Sequence, residues 1–160
     1  MTDVSSVMDE LRGLLGTMTA PVINEIERGA IRRYAEAVGD PNPLYADVEY
    51  ARKSRYGEVI SPPGFFGWAM KVTTGAVEVM APVFAALING GLLRILDAGR
   101  EYEFFLPVRA GDRLAWYARF ADVKEREGKS GIMVLVTMEI TYINQHGGLV
   151  AVSRQTFIAR

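Results

Sequence analysis

The second half of the chain is divided into four long segments rich in aromatic and β-branched residues, with short connections between them. The segments are Leu92–Leu106, Arg113–Lys124, Ile132–Ile143 and Leu149–Ala159. From Ile132 to Tyr142, apolar side chains alternate with residues such as Thr137, Glu139 and Thr141, which makes one face of the segment apolar. This pattern predicts a meander of antiparallel strands with one buried face.

One apolar segment is long enough to cover that face. Gly64 to Val79 is apolar on nearly every side, which predicts a helix surrounded by other structure, and Pro62-Pro63-Gly64 supplies its start. Val22–Ile26 reads as a further short strand, and Gly29–Val38 has apolar residues at helical spacing. We therefore predict an α+β fold in which a curved antiparallel sheet of about five strands wraps around one central helix.

The composition suits one domain, because 160 residues with 49% hydrophobic content can bury a substantial core. We place this domain at residues 22–160, preceded by residues 1–21 as an N-terminal arm or short amphipathic helix. Ala81–Asn89 is a further apolar segment with a less definite pattern.

The charge and the residue usage exclude several classes of function. A net charge of -1 argues against nucleic acid or an anionic membrane surface as the main partner. The absence of cysteine excludes disulfides, thiolate nucleophiles and zinc-thiolate sites. The first ten residues lack the pattern of a signal peptide, and the longest apolar stretch, Ala81–Ile88, is too short to cross a bilayer. We expect a cytoplasmic protein that binds a small molecule.

A rigid loop follows the second helical segment. Gly39 ends that segment, and Asp40-Pro41-Asn42-Pro43 cannot be regular structure, because each proline lacks an N–H and biases the residue before it towards extended angles. Taken alone, this loop is a turn in which Asp40 and Asn42 bond their own backbone. The flanking residues that extend the pattern are Tyr34, Leu44 and Ala51.

With those flanking residues, the loop resembles the acid-bearing loop of the MaoC-like, or R-specific, enoyl-CoA hydratases, which have the hotdog fold. The resemblance extends from about Val22 to Arg160 and is greatest to the N-terminal-type dehydratase half related to fatty-acid synthase dehydratase domains. It implies that Asp40 exchanges a proton with a bound water and that Asn42 orients Asp40 or the water. It also implies that the Gly64 N–H, at the start of the central helix, faces the thioester oxygen, a role that suits a helix N-terminus.

The chain departs from the family pattern at Tyr45, where the family has a histidine. A phenol with a pKa of about 10 can donate a hydrogen bond but is a poor base near neutrality. The chain has 1 histidine, His146, and it lies in a predicted hairpin connection, where a solvated side chain is the simpler interpretation. The resemblance therefore implies a hydratase or dehydratase subunit that binds the acyl group, with a second, histidine-bearing hotdog subunit as partner.

Several alternatives stay open at this point. The chain could be a self-sufficient homodimer in which Asp40 works alone or with Tyr45, an acyl-CoA thioesterase, or a non-catalytic acyl-CoA binding module. If the chain is a hydratase subunit, the resemblance implies that its substrate is an acyl-CoA or an acyl-carrier-protein thioester. Pro63, Phe65 and Trp68 are then expected at the acyl pocket. Whether this chain alone is an enzyme is left undecided.

No cofactor is expected, and no clustered carboxylates suggest a metal site. Gly128-Lys129-Ser130 lacks the earlier glycine of a phosphate-binding loop, because that position is Val123. Four arginines could meet the phosphates of CoA, although scattered arginines usually solvate a surface. They are Arg94, Arg100, Arg109 and Arg113.

Overall fold

A computed structural model describes residues 4–67, 76–128 and 131–160. The helices are α1 (Val4–Leu14), α2 (Arg28–Val38), α3 (Val48–Lys53) and α4 (Ala76–Asn89), and a short 3-10 turn covers Pro43–Tyr45. The strands are β1 (Val22–Glu25), β2 (Ile95–Phe104), β3 (Arg113–Gly128), β4 (Gly131–Asn144) and β5 (Leu149–Ala159).

The five strands form one sheet in the order β1-β3-β4-β5-β2, and every neighbouring pair is antiparallel. This confirms the predicted sheet. In β4, alternate residues from Val134 to Tyr142 are buried and those between them are partly exposed. Ile132, at the outer end of the apolar face, is exposed.

Three irregularities in strand pairing curve the sheet. The register shifts between Asp97 and Gly99 in β2, between Phe120 and Asp122 in β3, and between Tyr142 and Ile143 where β4 pairs with β5. An extra residue in one strand of an antiparallel pair bends that strand and increases its right-handed twist. The concave face is covered in part by α4, which contacts β3 and β4 and places the Phe84 ring edge-on to Phe157 at 5.2 Å between centroids.

The helix prediction was wrong at its start. Residues from Gly64 to Gly67 are not helical, because the φ angles of Gly64 and Gly67 are 88° and 83°, in the left-handed region that an α-helix cannot contain. Residues 68–75 of the predicted helix, including Trp68, lie outside the described residues. The described helix runs from Ala76 to Asn89 and so takes in the apolar segment Ala81–Asn89.

The N-terminal segment forms a helix that packs on the rest of the chain. Val7, Met8 and Leu11 of α1 are buried, and α1 contacts α4 and β3. Gly90, just after α4, leaves room for this contact, since a side chain there would overlap Val7. None of the helices in the described part of the chain has the length and apolar character needed to cross a bilayer.

Candidate active site

A cavity of about 470 Å³ lies between the loop that follows α2, the segment Ser61–Phe66 and the end of β2. Most of its wall is apolar and aromatic, as expected of a pocket that binds an apolar group and orients it with a few polar atoms. The residues that line it are Asn42, Leu44, Tyr45, Arg55, Tyr56, Ile60, Ser61, Pro62, Pro63, Gly64, Phe65, Phe66, Phe104, Phe105, Leu106, Pro107 and Val108.

The loop after α2 is fixed by hydrogen bonds to its own backbone. Gly39 ends the helix in the left-handed conformation, and the Asp40 N–H donates to the Ala35 carbonyl at 2.9 Å. The Asp40 carboxylate accepts from the Asn42 N–H at 3.1 Å, and the Asn42 side-chain oxygen accepts from the Leu44 N–H at 3.1 Å. These are the turn bonds expected of this sequence, and they hold the loop rigid.

Asp40 itself is exposed and is not among the residues that line the cavity. Its carboxylate is nevertheless close enough to the Tyr45 phenol to raise the pKa of that group. Asp40 therefore lies near Tyr45 but outside the set of residues that line the cavity.

Tyr45 is buried and lines the cavity. Burial raises its pKa above the usual value, the Asp40 carboxylate raises it further, and a hydrogen bond with the Asn42 side chain lowers it. The phenol thus stays protonated at neutral pH. At that pH it can donate a hydrogen bond into the cavity but cannot act as a general base.

Gly64 lies in a turn that packs against the loop of Tyr45. The Ile60 N–H donates to the Leu44 carbonyl at 3.1 Å, and the Ser61 N–H donates to the Val108 carbonyl at 2.8 Å. Within the described residues, the Gly64 N–H has no hydrogen-bond acceptor. The positive charge expected at Gly64 from a helix N-terminus is not supported, because the residues from Gly64 to Gly67 are not helical.

Ser61 was not singled out from the sequence. It is buried, and its hydroxyl donates to the Phe65 carbonyl at 2.7 Å, across the turn that contains Gly64. A serine beside two prolines does not by itself indicate a structural or functional role in the sequence. The hydrogen bond that Ser61 makes across the turn is visible only in the structure.

Of the three residues predicted at the acyl pocket, two are found in the cavity wall, and the third, Trp68, lies outside the described residues. Pro63 and Phe65 line the cavity together with Gly64. A second cavity of about 190 Å³ adjoins the first and shares Gly64, Phe65 and Phe66 with it. Phe66 stacks on Tyr142 at 4.0 Å between centroids and forms part of the boundary between the two.

His146 lies elsewhere. It is exposed in the connection between β4 and β5, is not among the cavity residues, and has a ring nitrogen 3.2 Å from the Gln145 amide. The cavity is thus lined by no histidine from the described residues. Those residues also contain no group of three or more acidic or histidine side chains placed to hold a metal ion.

Comparison with known proteins relates the chain to dehydratases. The model of the FAS1-like dehydratase domain region matches residues 13–153. A UPF0336 protein of Streptomyces avermitilis is 34% identical over 110 residues, which are 69% of this chain and 70% of that protein.

Two further proteins are similar over most of this chain. A probable enoyl-CoA hydratase alpha subunit of Thermomonospora curvata is 29% identical over 132 residues, covering 78% of this chain and 41% of that protein. The ChsH1-ChsH2 complex from Mycobacterium tuberculosis contains a chain that matches with a TM-score of 0.85 and 17% identity, over 97% of this chain and 91% of that one. The structural match confirms the predicted α+β hotdog fold.

Proposed function

Because this chain belongs to the FAS1-like dehydratase domain family and has the hotdog fold, we propose that it is the acyl-binding subunit of a heteromeric hydratase. In this proposal the complex adds water to a trans-2-enoyl thioester, or removes it from the 3-hydroxyacyl thioester. This chain supplies Asp40 and the acyl cavity, and a second hotdog subunit supplies a histidine.

Asn42, Tyr45 and Gly64 border one apolar cavity, and Asp40 is near enough to Tyr45 to raise the pKa of its phenol; this grouping is the main support for the proposal. An apolar cavity can take an acyl chain. The Gly64 N–H, which has no acceptor within the described residues, can donate to a thioester oxygen placed against it. Such a donor stabilises the negative charge that develops on that oxygen during the addition.

The hydration needs no oxidant or cofactor. The water oxygen bonds to C3, the π electrons of the C2=C3 bond move towards C2 and the thioester oxygen, and the water gives up one proton. A proton then bonds to C2, so the atoms of water are all retained in the product. In this proposal the Asp40 carboxylate accepts the proton from water and returns a proton to C2, with Asn42 and Tyr45 as hydrogen-bond partners.

The missing histidine explains why a partner is proposed. At the histidine position of the family loop, Tyr45 is a protonated phenol that cannot replace imidazole as a base. The cavity also has an exposed wall: Phe104, Phe105 and Leu106 line it, yet each remains exposed by more than two fifths. Phe104 ends β2, an edge strand of the sheet, and Phe105 and Leu106 directly follow it. An exposed edge with apolar side chains suits pairing with a second subunit.

The names of two similar proteins agree with such an arrangement. One is described as an alpha subunit of an enoyl-CoA hydratase, and the other was solved as a complex of two different proteins. A subunit of this kind need not carry every catalytic group.

The test is co-purification with a partner that carries the complete Gly-Asp-x-Asn-Pro-x-His loop, followed by a hydration assay. The complex should convert a trans-2-enoyl-CoA to the R-3-hydroxyacyl-CoA. Release of free CoA without hydration would show a thioesterase instead. Binding of acyl-CoA without turnover, unchanged in Asp40→Asn, would show a binding module.

A further inference from the structure

Two arginines that are distant in sequence both form a hydrogen bond with Tyr56, which lines the cavity. A terminal nitrogen of Arg55 donates to the Tyr56 hydroxyl at 2.6 Å, and the Arg55 guanidinium carbon lies 4.8 Å from the centre of the Tyr56 ring. The Nε of Arg109 donates to the Tyr56 carbonyl at 3.2 Å. Tyr56 therefore fixes the position of both guanidinium groups.

Neither guanidinium is neutralised. Within the described residues, no carboxylate lies within 4.0 Å of a side-chain nitrogen of Arg55 or Arg109. Two neighbouring arginines differ in this respect, since Arg28 pairs with Glu58 and Arg52 pairs with Glu49, both at 3.4 Å. An arginine has five N–H donors, and each of the two uses one of them on Tyr56, so most of their donors are available to a ligand.

Arg55 and Arg109 both lie close to the cavity. Arg55 and Tyr56 line the cavity, and Arg109 directly follows Pro107 and Val108, which also line it. Arg109 is anchored through its backbone as well, by a bridge to Ile60 and by its N–H, which donates to Asp112 at 2.7 Å. Arg109 does not itself line the cavity, but both arginines are exposed and both are bonded to Tyr56, so the two cations lie beside a pocket that is otherwise mainly apolar.

Planar guanidinium groups with free, fixed donors match the geometry of phosphate oxygens. We propose that Arg55 and Arg109, held by Tyr56, bind a phosphate group of the thioester's carrier, while the acyl end occupies the cavity. This inference rests on the proposed function, because a thioester in the cavity must be joined to a carrier that leaves through the entrance. Both coenzyme A and the prosthetic group of an acyl carrier protein contain a phosphate next to pantetheine.

The experiment compares the binding of saturated thioesters, which cannot be hydrated. Affinities of octanoyl-CoA, octanoyl-phosphopantetheine and octanoyl-pantetheine are measured by calorimetry for the protein as it purifies, alone or with its partner. The phosphate-free pantetheine thioester should bind at least about tenfold more weakly than octanoyl-CoA, as expected for the loss of charge-assisted hydrogen bonds.

The variants Arg55→Gln and Arg109→Gln should each weaken octanoyl-CoA binding and leave octanoyl-pantetheine binding within about twofold. Arg55→Lys and Arg109→Lys should recover part of the loss, because they keep the charge. Arg32→Gln, which changes an exposed arginine on α2, is the matched control and should affect neither ligand. Thermal unfolding of each variant shows whether it is folded.

The phosphopantetheine thioester identifies the phosphate that is bound. If it binds like octanoyl-CoA, the phosphate is the one shared by coenzyme A and carrier proteins. If it binds like octanoyl-pantetheine while octanoyl-CoA binds tightly, the phosphates of the adenosine part are bound. Equal binding of octanoyl-CoA and octanoyl-pantetheine, or equal losses for both in the glutamine variants, would overturn the subsite. Either result would contradict the phosphate subsite and would say nothing against hydration by the complex. Conversely, binding that depends on the phosphate, in a complex that does not hydrate the enoyl thioester, would contradict the proposed function and leave the subsite standing.

Discussion

The ring of Tyr34 stacks on the ring of Phe65, with centroids 4.6 Å apart and planes 23° from parallel. Tyr34 belongs to α2, which ends at the loop of Asp40, and Phe65 directly follows Gly64. The contact joins the two segments that are proposed to carry the chemistry. Together with the bond from the Ile60 N–H to the Leu44 carbonyl, it fixes the loop of Asp40 relative to the turn of Gly64.

The substitution Asp40→Asn separates the chemistry of the carboxylate from its role in the turn. An asparagine oxygen can still accept from the Asn42 N–H, so the loop and the stability should be preserved. Hydration by the complex should fall by about 10²- to 10⁴-fold, the usual range for loss of an acid–base group. The loss of enoyl-CoA absorbance measures the rate, and Asp47→Asn is the control, because Asp47 is also an exposed aspartate whose side chain accepts a backbone N–H, at the start of α3. A rate within about twofold of the unsubstituted complex would show that Asp40 is not catalytic.

The substitution Tyr45→Phe should leave the hydration rate of the complex within about threefold. The phenol is protonated because burial and Asp40 raise its pKa, so its removal takes away a hydrogen-bond donor and no base. The pH–rate profile should be the same with and without the hydroxyl up to about pH 9. A loss of two orders of magnitude would instead assign Tyr45 a direct part in proton transfer.

The substitution Gly64→Ala should impair both stability and activity. A left-handed φ of 88° costs an alanine about 1–2 kcal/mol, and relief of that strain would displace the N–H that is proposed to meet the thioester oxygen. We expect kcat to fall at least tenfold per folded molecule.

Gly147→Ala is the matched control for Gly64→Ala. Gly147 has a φ of 77° and no neighbouring atom within 4 Å of an added side chain, and it lies in the connection between β4 and β5. The Gly147→Ala variant should lose about as much free energy of unfolding as Gly64→Ala and should keep its hydration activity. Equal losses of kcat in both variants would mean that backbone strain alone explains the effect.

Stability should decrease as the pH rises from about 10 to about 12 because of Tyr142. Burial, followed by the neighbouring Tyr102, raises the pKa of Tyr142 to about 12. In the unfolded chain the phenol loses its proton near pH 10, so within this window the folded state binds more protons and unfolding becomes easier as the pH rises. The slope is roughly 1 kcal/mol per pH unit, and below this window the contribution of Tyr142 is constant.

Denaturant unfolding at several alkaline pH values measures that slope. Tyr142→Phe lacks the ionisable hydroxyl and should show a smaller loss of stability over the same window. Curves of equal slope for the two proteins would contradict a raised pKa of Tyr142 in the folded state.

The sheet was predictable from the sequence because its signals are local. Alternation in β4 and turn residues between the strands placed all five strands within a few residues of their bounds. The loop of Asp40 was equally readable, since two prolines and a glycine leave few backbone conformations.

The errors and omissions concern features that the local pattern does not determine. An apolar run after Gly64 suggested a helix, but Gly64 and Gly67 have left-handed angles, and Gly67 packs closely against Glu25 and Ile26, which are distant in sequence. Similarly, α4 and β2 separate Arg55 from Arg109 in sequence, and only the fold brings both arginines to the same tyrosine. The exposure of Asp40, outside the residues that line the cavity, also depends on how α2 packs, which the motif does not specify.

The most direct test of a histidine-lacking subunit is the hydration rate of this chain alone, compared with the rate of its complex, with the native mass of each species determined in parallel. We expect that the chain alone does not measurably hydrate trans-2-enoyl-CoA. A complex with a histidine-bearing partner should be active, and the substitution Asp40→Asn should abolish most of that activity. A homodimer of this chain that hydrates the substrate as fast as the complex would contradict the account.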